Sequence, residues 1–130
     1  MAFEKFKQTG RSYASKVSIS PRGMISFTDG ARHRFGLDKY DFAVLYYDKE
    51  TSVVGVELIN DENAEGAIKL RKRETGGADI AAKSFVDYFG ITPENTTMYN
   101  LSEGENERWI VWSLHDGVER KRGKRERGLA

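Results

Sequence analysis

No cysteine occurs among the 130 residues, and histidine and proline occur twice each. Without cysteine there is no disulfide to staple the chain and no thiolate to bind a metal or attack a substrate. His33 and His115 share no ligand spacing with each other or with paired carboxylates, so no zinc centre and no cofactor is expected. The longest apolar runs, such as "FAVLYY" at 42–47, are far short of the roughly 20 residues that cross a bilayer. The start, "MAFEKFKQTGRSYASK", lacks the apolar stretch of a secretory signal, and a cytoplasmic location with no membrane contact is the expectation. No nucleophile-elbow pattern is present, and "ETGGAD" at 74–79 has two adjacent glycines but neither the spacing nor the lysine of a phosphate loop. The chain is not expected to be an enzyme.

What is present describes a globular domain. Hydrophobic residues make up 38% and charged residues 32%, and fifteen aromatics are available to build a core. One domain over residues 1–115 follows from the length. The net charge of +1 hides an uneven split: residues 116–130 carry six basic and three acidic side chains, which leaves the body at −2. The segment 116–130 has few apolar residues and reads as a flexible basic tail.

Along the chain, "KVSISPRGMISFT" alternates Val17, Ile19, Ile25 and Phe27 around a Pro21-Arg22-Gly23 turn, which is a hairpin with one buried face. "DGARHRFGL" then predicts a short helix with Asp29 as its N-cap and Gly36 as its stop. "DFAVLYYDKETSVVGVELI" reads as a second hairpin, and "NDENAEG" as an acidic loop. The later half follows the same plan: "AIKLRKR" predicts a strand, "ADIAAKSFVDYFGI" a helix, and "TTMYNLSEGENERWIVWSL" a hairpin around Gly104. At an offset of 54 residues Gly23 falls on Gly77, Phe35 on Phe89, Gly36 on Gly90 and Leu37 on Ile91. The fold expected is therefore α+β: two β-β-α-β-β halves, about 14–58 and 66–114, forming one pseudo-symmetric, mostly antiparallel, small barrel-like domain in which each half completes the core of the other.

Residues 23–58, "GMISFTDGARHRFGLDKYDFAVLYYDKETSVVGVEL", resemble the swapped-hairpin domains of the AbrB, MazE and SpoVT type. Those run as a strand, a short helix carrying an Arg and ending in Leu-Gly-Ile/Leu, an acidic link and a strand pair, and two copies interlock. The resemblance implies a single chain that mimics such a dimer, and a DNA-binding, transcription-regulating role. Phe27-Thr28 replaces the family's Ile-Pro, Tyr40-Asp41 its Gly-Asp, and the second half has Val86 and Tyr88 where the first has Arg32 and Arg34.

The cationic candidates for phosphate or base contacts are Arg22, Arg32 and Arg34 around the first helix, Lys69, Arg71 and Arg73 on one face of a strand, and Arg120, Lys121, Arg122, Lys124 and Arg125 in the tail. Trp109 and Trp112 lie three apart, so a regular strand buries one and exposes the other. Two functions stay open. One is a small nucleic-acid-binding regulator of DNA or RNA; the other is a protein-interaction module, such as a phage- or plasmid-type accessory or inhibitor protein, that binds through an exposed Trp or Tyr. Monomer and homodimer are equally open.

Overall fold

The computed structural model describes residues 2–3 and 15–119. The chain runs β1 (Lys16–Ile19), β2 (Met24–Phe27), α1 (Asp29–Arg34), β3 (Phe42–Asp48), β4 (Val53–Ile59), β5 (Ile68–Lys69), β6 (Arg71–Lys72), β7 (Ala78–Ala81), α2 (Lys83–Phe89), β8 (Thr97–Asn100), β9 (Ser102–Glu103), β10 (Trp109–Ser113) and β11 (Val118–Glu119), with 3-10 turns at Leu37–Lys39 and Leu114–Asp116. Neither helix is long enough to cross a membrane.

Two antiparallel sheets result. The first has the order β11-β8-β1-β2-β7-β6 and the second β5-β3-β4-β10-β9. The α+β class and the antiparallel pairing are as expected, but among the described residues the sheets stay separate and do not close into a barrel. Alternation explains their packing: Val17, Ile19, Ile25, Phe27, Ala78 and Ile80 face inward from the first sheet, and Ala43, Val54, Val56, Leu58, Ile110 and Trp112 from the second. All belong to one continuous core. Strands from the two ends of the chain pair throughout, β2 with β7, β1 with β8 and β4 with β10, so neither half owns a complete sheet.

Several local expectations are corrected. Thr28, not Asp29, caps α1, its hydroxyl accepting from the Ala31 N–H at 3.2 Å, and Asp29 is the first helical residue, where its charge suits the helix dipole. The helix expected over 78–91 begins only at Lys83, because Ala78 and Ile80 alternate into the core as β7 against β2. It ends at Phe89, short of the expected Ile91: Gly90 at φ 67° lets the Gly90 N–H reach the Asp87 carbonyl and the Ile91 N–H the Val86 carbonyl, satisfying carbonyls the helix leaves open. The strand expected from "AIKLRKR" breaks at buried Leu70, where the chain passes from the second sheet to the first. Likewise β8 leaves at Leu101, so only Ser102–Glu103 remains to pair with β10 across the Gly104 turn. Val118–Glu119 pairs with β8 at the sheet edge, and the rest of the expected tail, residues 120–130, lies outside the described residues.

Candidate interaction surface

The cationic candidates do not converge. Arg22 lies exposed in the turn before β2, whereas Arg32 lies on α1 beyond its other end. A four-residue strand is about 13 Å long, so these two guanidinium groups sit at opposite ends of the first sheet. Arg32 is 20% exposed and already engaged: its Nε donates to Asp38 at 2.8 Å, and its Nη1 to the carbonyls of Arg73 and Gly77 at 2.9 and 3.1 Å. Arg34 lies over the Phe35 ring at 4.8 Å and donates to the Leu101 carbonyl at 3.5 Å. Arg73 pairs with Asp79 on the outer face of the first sheet and donates to the Gly76 carbonyl at 3.0 Å.

Together Arg32 and Arg73 fasten the 73–77 turn. The Asp29 carboxylate completes it by accepting from the Gly77 N–H at 3.3 Å. Gly77, at φ 82°, has no room for a side chain, since a Cβ there would come 2.5 Å from the Phe27 carbonyl oxygen. Lys69 and Arg71 remain exposed, but Lys69 pairs with Phe42 in the second sheet and Arg71 with Asp79 in the first, so the expected single-face stripe is divided between the sheets. Arg120, Lys121, Arg122, Lys124 and Arg125 lie outside the described residues. Among the described residues no group of three or more His, Asp or Glu stands close enough to hold a metal ion.

A different surface emerges on the outer face of the second sheet. Residues paired across strands share a face, and three rows result: Val44-Glu57-Trp109, Tyr46-Gly55-Val111 and Asp48-Val53-Ser113. With Phe42 and Ile59 beside them, these side chains are half-buried or exposed and none belongs to the core. Trp112 is 2% exposed inside while Trp109 faces out, as their three-residue spacing requires.

Gly55 shapes the centre. Lacking a side chain, it lets Trp109 lie diagonally across β4, where a Cβ at Gly55 would meet the indole ring at 3.4 Å. Tyr46 closes from the other side, its ring centroid 4.8 Å from that of Trp109 at an interplanar angle of 46°. The Tyr46 hydroxyl donates to Glu57 Oε1 at 2.8 Å, and this bond to a carboxylate holds the phenol pKa above its ordinary value.

These side chains line an open groove of about 390 Å³, bounded by Tyr46, Tyr47, Val53, Gly55, Trp109 and Val111, with Asp48 at one end and Gly104 and Glu105 at the other. Its only charged lining residues are the two acids. Asp48 spends Oδ1 on the β3–β4 turn, accepting from the Glu50 N–H at 3.0 Å, and its Oδ2 has no partner among the described residues. The 3-residue spacing of the tryptophans and a glycine inside the apolar run "VVGVEL" were the signals of this surface in the sequence. The outer face of the first sheet differs: its shallow pocket of about 290 Å³ is lined by Ser18, Ser26, Thr28, Arg73, Phe27 and Met98.

No protein-family model, no curated protein and no solved structure matches the chain.

Proposed function

We propose that the chain is a protein-interaction module whose docking surface is the outer face of the second sheet, taking a partner segment of apolar and cationic character. The single observation that carries this reading is the Tyr46–Trp109 groove, an apolar floor whose only charged lining is carboxylate. Apolar patches rimmed by polar groups mark docking sites, and Trp and Tyr supply most of the energy at such sites. The acidic rim repels phosphate, and Arg32 and Arg73 are engaged in internal bonds, which supports this reading over a nucleic-acid footprint.

The architecture is read in the same way. The two halves are taken as pseudo-symmetric relatives of a swapped-hairpin dimer, a reading supported by the antiparallel pairing of β2 with β7 and of β4 with β10, and by left-handed Gly36 and Gly90 after each helix. The second half then kept the scaffold and gave its β10 to the groove.

The test compares three proteins against a partner captured by the native chain. Replacing Tyr46 and Trp109 together by Ser should weaken the complex by at least about tenfold, the loss expected for two aromatic anchors. Reversing Arg22 and Arg71, both exposed on the first sheet, to Glu should leave it unchanged. Binding of mixed oligonucleotides at low salt, lost on that charge reversal and untouched by the aromatic replacements, would put the nucleic-acid regulator in its place.

A further inference from the structure

Resting on the docking reading, we infer that the groove recognises one arginine side chain in an extended partner segment. Its guanidinium would stack on the Tyr46–Trp109 pair with its N–H edge turned to Glu105, in the turn beside Trp109, and with Asp48 adding negative charge from the far end of the groove. Three features converge on this chemistry. The rings form a wedge at 46° with centroids 4.8 Å apart, and Gly55 leaves them no side chain to compete with. A cation is attracted to an indole or phenol face, and a planar one stacks there at low desolvation cost. Glu105 stands in the turn beside Trp109 and Asp48 at the other end of the strands, level with Val53, and no Lys or Arg lines the groove to neutralise them.

Arginine is preferred to lysine because its donors lie in the ring-stacking plane and point outward from its edge. It can therefore cover the aromatic face and donate to a carboxylate at the rim at once, whereas an ammonium, strongly hydrated and compact, must choose. The floor continues beyond the aromatic pair through Val53 and Val111, which suits apolar neighbours at alternate positions of an extended segment. A phosphate-bearing ligand is excluded by the same acids that favour the cation.

The experiment titrates the full chain with a blocked Val-Ser-Arg-Ser-Val peptide and with its citrulline counterpart, which keeps the shape and removes the charge. Backbone amide shifts of Tyr46, Gly55 and Trp109 report occupancy. The arginine peptide is expected to bind at least about tenfold more tightly, to weaken as salt rises, and to lose that preference when Asp48→Asn and Glu105→Gln are combined. Trp109→Leu, which keeps an apolar floor, should also reduce the preference.

Equal binding of the citrulline peptide overturns the arginine assignment. If a captured partner still depends on Tyr46 and Trp109 in that case, the docking reading stands without it. If the partner ignores both aromatics, both readings fall. Should neutralising Arg120, Arg122 and Arg125 to Gln shift the three groove amides with no peptide present, the occupant is the chain's own tail and the partner assignment is overturned.

Discussion

The outer faces of the two sheets are built from the same kind of strand and have opposite chemistry. On the first, Ser18 pairs with Ser26 and with Met98, Lys16 bonds Asn100 at 3.0 Å, and Asp79 is paired with Arg73. On the second, Phe42, Val44, Tyr46, Val53, Ile59, Trp109 and Val111 face outward with Asp48 and Glu57 as their charged companions in the central strands. A sheet with one wet face needs only small or polar residues there. The first sheet meets that rule and the second breaks it, and a broken rule at the surface points to function.

The largest effect expected separates the two faces of one strand. Trp112→Ala removes an indole buried edge-on against Phe27, with ring centroids 6.2 Å apart, and should cost about 3–5 kcal/mol by denaturant unfolding. Trp109→Ala, three residues away on the outer face, should cost about 1 kcal/mol or less, because its contact with Tyr46 is a surface pair. Equal losses would mean that the outer face is part of the stabilising core, and the contrast would collapse. Trp112→Phe should be milder than Trp112→Ala, since the Trp112 Nε1–H has no hydrogen-bond partner among the described residues and its removal costs nothing in bonding.

Next in size is the cationic side of the molecule. Arg32→Ala strips the Arg73 and Gly77 carbonyls of their charged donor and should destabilise the fold by about 1–3 kcal/mol. Little of that comes from the ion pair with Asp38, whose carboxylate is well exposed. Arg22→Ala, in the exposed turn, should change stability by no more than about 0.5 kcal/mol. A stable Arg32→Ala protein would return Arg32 to the pool of groups available for a ligand.

Arg32 also marks where sequence reasoning stops. Its acceptors are backbone carbonyls 41 and 45 residues away, and a carbonyl carries no signature in the residue letters. The sheet changes at Leu70 and Leu101 are hidden for a related reason. One buried leucine between exposed neighbours fits a straight strand as well as a corner, and only the partners across the ladder decide. The segment Ala78–Ala81 shows tertiary context overriding alanine's helix propensity, because β2 offers a full ladder there. By contrast, the β1–β2 hairpin, the first helix's stop before Gly36 and the opposed tryptophans depend on short-range spacing alone, and each was legible. Of the groove, the sequence exposed Trp109 but not its pairing with Tyr46, which comes from the β3–β4–β10 register.

The smallest effect probes the one polar bond on the apolar face. Tyr46 donates its proton to a carboxylate, so ionising the phenol would break the bond and set two negative charges side by side. The bond, a smaller contribution from burial and the charge of Glu57 all raise the Tyr46 pKa. Tyr99 is raised as well, through its burial in the core. A raised folded-state pKa means that the contribution to stability is intact below the unfolded value of about 10 and is lost as pH climbs through the folded one. Stability should therefore be insensitive to these two groups at neutral pH and fall above about pH 10. Glu57→Gln removes the charge and keeps an acceptor, so the tyrosinate absorbance of Tyr46 should then appear at lower pH while that of Tyr99 stays in place. If both move together, the two phenols report a global change and the outer face has no electrostatics of its own. If Tyr46 moves alone, the acidic groove is an independent unit, tunable without disturbing the core beneath it.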